Sequence, residues 1–121
     1  MTTRGIRGAT TIESDTKDHI LFATQELLEE ILCANTDLKT ADIASVLFTV
    51  TDDATSAHPA LAARQMGWAQ VPMICAREIP VEESLPLCIR VLIHWNTNKP
   101  QGEIKHVYLR NAVKLRPDLV R

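Results

Sequence analysis

Arg90 stands in the middle of LCIRVLIHW, residues 87–95, an otherwise largely apolar run with β-branched residues at Ile89, Val91 and Ile93. Such a run reads as a buried strand. A guanidinium does not shed its charge in a protein, and an unpaired buried charge is costly. Its partner must be an anion, either a carboxylate of this chain or a ligand. Strand parity places Leu87, Ile89, Val91, Ile93 and Trp95 on one face and Cys88, Arg90, Leu92 and His94 on the other. None of these neighbours is negative. A cross-sheet glutamate and an anionic ligand both satisfy the pattern.

Four further residues could do chemistry. Arg7 lies between glycines in RGIRGATT, as a solvated charge or a second anion contact. In CARE, Cys75 and Glu78 are three apart where a strand leaves its sheet. A buried thiol beside a surface carboxylate explains them as well as a reactive pair does. No histidine sits in a pattern that would make Cys75 a nucleophile. Tyr108, in HVYLR, fits packing or binding. His19, His58, His94 and His106 form no HxH or HExxH spacing, which argues against a metal. There is no GxxxxGK[ST] or GxGxxG stretch, which argues against a nucleotide. No cofactor is expected.

These residues must be held by a small protein. The 121 residues suggest a single domain over 1–121, and a 45% hydrophobic share is ordinary for a soluble one. Lys plus Arg number 13 against 15 Asp plus Glu, a net charge of -2. That argues against nucleic acid as a partner but leaves room for a small anion met by a few arginines. Cys33, Cys75 and Cys88 are odd in number and form no CxxC pair, so reduced thiols and a cytoplasmic location are expected. The start, MTTRGIRGATT, lacks a signal-peptide core. No apolar run approaches the ~20 residues of a membrane helix, so no membrane partner is expected.

The pattern predicts a strand over Thr2–Glu13, whose glycines mark a bulge or a close approach to the backbone. Ser14–Thr16 supplies capping residues for an amphipathic helix over Lys17–Ala34, with Asn35 as its stop. A capped turn at Thr40 leads to a strand over Ala44–Thr51. Pro59 and Gly67 bracket a short helix over Pro59–Met66. Strands follow over Val71–Ala76, Leu87–Trp95 and residues 104–109, then a turn and a short extended tail through Val120. The order β-α-β-α-β-β-β predicts an α+β protein with a mixed five-stranded sheet, one long helix and one short one. One long helix cannot cover both faces of five strands. The apolar surface left over predicts a homo-oligomer.

RGIRGATT, GWAQVPMICAREI, LPLCIRVLIHWNT and HVYLRNAVKLRPDL, in that order, resemble the monofunctional bacterial chorismate mutases of the Bacillus type. The resemblance spans nearly the whole chain. It implies a homotrimer, a pseudo-barrel with an active site in each inter-subunit cleft. It also implies an isomerase that converts chorismate to prephenate, by a [3,3] rearrangement, on the route to phenylalanine and tyrosine. Carried over by position, the family's functional residues fall on Arg7, Cys75, Glu78, Arg90, Tyr108, Leu115 and Arg116. Its cleft-mouth arginine falls on Arg64 once a one-residue deletion before Gly67 is allowed. The resemblance implies Arg90 at the ether oxygen, Arg7 and Tyr108 at the side-chain carboxylate, and Glu78 and Cys75 at the ring hydroxyl. Arg64 and Arg116 would gather the dianion at the mouth. The chain departs from the family at His58, where an aromatic is usual, at Leu61, where a lysine is, and at Ile74, where a threonine can occur. Trimeric imine-hydrolysing proteins of similar architecture, and an inactive structural homologue, are the alternatives. The order of the four segments disfavours the first, and the set Arg7, Cys75, Glu78, Arg90 and Tyr108 the second.

Overall fold

The computed structural model describes residues 2–119. It has strands β1 (Thr2–Thr11), β2 (Ile43–Val50), β3 (Met73–Arg77), β4 (Cys88–Thr97) and β5 (Val107–Tyr108), with helices α1 (Lys17–Ala34) and α2 (Pro59–Gln65). They form one sheet in the order β3-β2-β4-β1-β5. β4 pairs antiparallel with β1 and β2, while β1–β5 and β2–β3 are parallel. The mixed sheet and the two helices are as the periodicity predicts.

α1 begins where its cap lies: the Thr16 hydroxyl accepts from the His19 N–H at 3.1 Å. It ends at Asn35, which is 2% exposed and ties the helix to the approach to β5. Asn35 Nδ2 donates to Ile31 O and to Lys105 O, both at 3.0 Å, and its Oδ1 accepts from the Lys105 N–H at 3.0 Å. A side-chain amide thus takes the place of a strand partner at Lys105. This is why β5 has two residues where the sequence predicts a strand over 104–109.

Leu27, Leu28 and Ile31 of α1 and Ala60 and Ala63 of α2 share one core with Ile6, Phe48, Val91, Ile93 and Trp95 of the sheet. Both helices therefore cover the same face. Gly8 lets α1 lie close, since an added Cβ would come within 2.9 Å of Ile31 Cδ1. The predicted close approach at this glycine is thus made by the helix.

β3 begins at Met73 rather than Val71. Pro72 has no N–H to give to a ladder, and its carbonyl accepts from the Val46 N–H at 2.9 Å. The predicted extended tail is instead a pair of 3-10 turns, Arg110–Lys114 and Pro117–Leu119. Ala112, fully buried, inserts among Ala9, Cys88 and Tyr108 and so pulls the chain into a turn over the end of β1. Val120 lies outside the described residues.

Candidate active site

The helix-free face of the sheet carries the site. Ala9 of β1 and Thr49 of β2 stand opposite Arg90 on its two sides, Tyr108 stands beyond Ala9, and Ala76 beyond Thr49. The small residues Ala9 and Thr49 flank the guanidinium and leave a hollow around it. In the next row Arg7, Leu92, Leu47 and Ile74 run across the strands in register. A cavity of about 290 Å³ opens over these rows, walled by Arg7, Glu78, Arg90, Tyr108, Leu115 and Arg116. Its floor includes Ala9, Leu47, Thr49 and Leu92. An apolar floor under a few convergent polar groups is the usual form of a small-molecule site.

Parity along β4 is as the sequence predicts. Ile89, Val91, Ile93 and Trp95 are buried under the helices, and Arg90 is exposed on the opposite face. Among the described residues Arg90 forms no ion pair, and neither does Arg7. A cross-sheet glutamate is therefore not the partner of Arg90. The guanidinium lies beside the Cys88 thiol instead. Burial pushes that thiol above its ordinary value, although the neighbouring Arg90 charge pulls the other way.

Each of the other groups is placed by backbone or neighbour contacts. The Glu78 N–H donates to Val50 O at 2.8 Å, fixing the residue just past β3, and its Oε2 accepts from the Thr49 hydroxyl. The Arg7 N–H donates to His106 Nδ1 at 2.9 Å. Tyr108 is 9% exposed and packs with Ala9, Cys88, Ala112 and Leu115. Leu109 N–H donates to Ala9 O at 2.9 Å, holding the tail to β1. Arg116 forks onto Asp118, with Nε to Oδ1 at 3.0 Å and the terminal nitrogen to Oδ2 at 2.8 Å. That pairing lowers the Asp118 carboxyl below its ordinary value, with a smaller contribution from Arg7. The wall thus carries three arginines and one carboxylate, an arrangement suited to a small dianion.

The chain matches the family chorismate mutase type I over residues 3–119. It belongs to that family. It is 58% identical to chorismate mutase AroH of Thermus thermophilus over 116 residues, 96% of this chain and 95% of that protein. It is 46% identical to chorismate mutase AroH of Bacillus subtilis (strain 168) over 120 residues, 98% of this chain and 94% of that one. Among solved structures, a chorismate mutase from Clostridium thermocellum superposes with a TM-score of 0.87 at 50% identity, covering 89% of this chain and 96% of that one.

Of the residues the chorismate mutase resemblance singles out, one chain brings together Arg7, Glu78, Arg90, Tyr108, Leu115 and Arg116. It does not bring Cys75, Arg64 or His58 to that cavity. Cys75 is in register with Phe48 and packs into the core under the helices, on the face opposite Arg90. Strand alternation therefore turns its thiol, within one chain, to the face opposite Arg90. Arg64 lies in the last turn of α2 and His58 stands just before its first residue, without a capping side-chain hydrogen bond, on a helix that packs against α1 on the covered side. Sequence reasoning placed Leu92 on the face of Arg90 but missed Thr49, Ala9 and Leu47. Parity marks which residues share the face of Arg90 on its own strand; only register shows who stands beside it.

Proposed function

We propose that the chain converts chorismate to prephenate by conformational restraint and electrostatic stabilisation, with no covalent step. The observation that carries this reading is an Arg90 guanidinium with no ion pair among the described residues, at the wall of a cavity that Arg7 and Arg116 also line. The rearrangement breaks a C–O bond and makes a C–C bond within one molecule. It moves no proton, so it asks for no base, nucleophile or metal. It asks instead that the enolpyruvyl chain be held folded over the ring, and that negative charge on the ether oxygen be met as the C–O bond opens.

Arg90 meets that oxygen, and the fixed strand on which it rides avoids reorganisation at that moment. Arg7 and Tyr108 hold the side-chain carboxylate. Glu78 accepts from the ring hydroxyl and faces the partly positive ring. Arg116 and Leu115 close over the mouth. Arg64 and His58 complete the cleft from a neighbouring copy, because within one chain they lie off the cavity.

The same reading makes the protein a homotrimer. Ile74, Ile79 and Val81 are 67%, 77% and 61% exposed in the single chain, on and just after the edge strand β3. Association would bury them and the open sheet face beside them. Three free cysteines suit a reducing, cytoplasmic setting. Among the described residues no helix is long and apolar enough to cross a membrane.

The test is direct. Purified protein with no additive should consume chorismate, followed as loss of its ultraviolet absorbance, and release prephenate. Silence towards chorismate together with turnover of an imino acid would replace this reading with that of an imine hydrolase.

A further inference from the structure

We infer that Thr49 is a positioning residue for the reaction, one that holds the Glu78 carboxylate off Arg90 and aims it at the substrate. This rests on the chorismate mutase reading above. Thr49 stands directly opposite Arg90 on the adjacent strand, on the same open face, and its hydroxyl donates to Glu78 Oε2. That is the single hydrogen bond to the Glu78 side chain among the described residues, and Glu78 makes no ion pair there.

A carboxylate held in this way sits in a conflict. Glu78 and Arg90 wall the same cavity, and both act electrostatically on the Cys88 thiol. Opposite charges near a partly desolvated cavity attract over several ångströms. The chain beyond Glu78, residues 79–84, is exposed and offers the carboxylate no hydrogen bond. Left to itself, the side chain would swing onto the guanidinium and form the cross-sheet pair that the sequence permits. That pair would neutralise the charge needed at the ether oxygen and occupy the hollow the substrate requires. The Thr49 hydroxyl blocks the swing. It uses one carboxylate oxygen and leaves Oε1 to accept from the ligand. Thr49 lies in the cavity floor, and in this account its hydroxyl acts through Glu78 rather than on the reacting atoms.

The experiment measures kcat and KM for chorismate with the full-length protein and with Thr49→Val, Thr49→Ser, Glu78→Ala and the Thr49→Val/Glu78→Ala double variant. Valine keeps the size and β-branching and loses only the donor. Thr49→Val is expected to lower kcat roughly ten- to a hundredfold, the scale set by a hydrogen bond to a charged group, with an unchanged far-ultraviolet spectrum and oligomeric state. Thr49→Ser is expected to recover most of that loss. In the Glu78→Ala background Thr49→Val should cost no more than about twofold, because neighbours that act as a unit are not additive. The inference is overturned if Thr49→Val turns over chorismate like the parent. It is equally overturned if serine fails to rescue, or if the full penalty persists without Glu78, which would mark a packing role. Should Thr49→Val unfold, the comparison of Thr49→Ala with Thr49→Ser in both backgrounds decides by the same criteria. A parent protein inert towards chorismate would instead remove the functional reading itself.

Discussion

Arg7 and Arg90 are diagonal neighbours on the open face of the β1–β4 ladder: Arg7 is in register with Leu92, and Arg90 with Ala9. Diagonal positions lie about 7–8 Å apart. Among the described residues neither makes an ion pair. Both line the same cavity, so a dianion bound there would have a guanidinium from each of two adjacent strands within reach.

Replacing Arg90 with lysine tests the role of the fork. An ammonium keeps the charge but cannot present two parallel donors. We expect Arg90→Lys to lower kcat by roughly a thousandfold, the loss typical of a transition-state donor worth ~3–4 kcal/mol, while circular dichroism stays that of the parent. Parent-like turnover in this variant would refute the electrostatic assignment.

Within one chain Cys75 faces the core and not the cavity, so its thiol is expected to contribute little to turnover. Cys75→Ser should keep most of the parent kcat and KM, at some expense in stability from a hydroxyl packed against apolar neighbours. Loss of all activity with the assembly intact would show that the thiol takes part after all. Thiol alkylation at neutral pH should strike exposed Cys33 first and spare buried Cys88, as peptide mapping by mass spectrometry can check.

Gly8 is the point of closest approach between α1 and the sheet. An alanine Cβ there would lie 2.9 Å from Ile31 Cδ1, 3.1 Å from Val91 Cγ1 and 3.3 Å from Leu27 Cδ1. The isoleucine and leucine tips can yield, but Val91 is held by its strand. We expect Gly8→Ala to lower Tm by roughly 4–10 °C, on the scale of overpacking a core. An unchanged melting curve would show that the helix shifts freely.

Asp15 should act as an acid-sensitive latch on the loop before α2. Its Oδ1 accepts from the Thr55 and Ser56 N–H groups, both at 3.0 Å, and its Oδ2 from the Thr55 hydroxyl at 2.9 Å. The Thr55 backbone donor above all, with the Ser56 groups and the Thr55 hydroxyl, holds this carboxyl below its ordinary value of 3.8. A group depressed in the folded state stabilises above its unfolded value, and that contribution vanishes as pH falls through the folded one. Amide exchange at Thr55 and Ser56 should therefore be slow near neutrality relative to Asp15→Ala, with the difference between the two proteins closing below about pH 3.8. Equal protection in the variant at neutral pH would rule the latch out.

The salt dependence of KM follows from where the cations lie. Arg7 and Arg90 are exposed in the single chain, and screening shortens the reach of such charges from ~10 Å at 0.1 M salt to ~3 Å at 1 M. KM for chorismate should rise several-fold over that range while kcat, which reports the bound complex, moves less. A KM independent of salt would mean that these arginines do not steer the substrate.

Much of this architecture follows from local pattern alone. The spacing of Ile20, Ala23, Leu27 and Ile31, with Thr16 before and Asn35 after, bounds α1 at Lys17 and Ala34, where the structure has it. Period-two alternation along β4 sorts Arg90 from Ile89 and Val91, because successive side chains on a strand must point to opposite faces. These are properties of neighbouring residues, and the chain carries them wherever it folds. The tail departs from its local pattern because its turn is imposed by burial of Ala112 against Ala9 and Cys88, residues far from it in sequence. The partner of Arg90 was likewise open in the sequence, which permits a glutamate there. What decided it was register: which residue of β1 and β2 stands beside Arg90, and that the residue in β2 is a threonine able to restrain Glu78. Register is a relation between segments tens of residues apart, set by how helix and sheet pack together, and no local period encodes it.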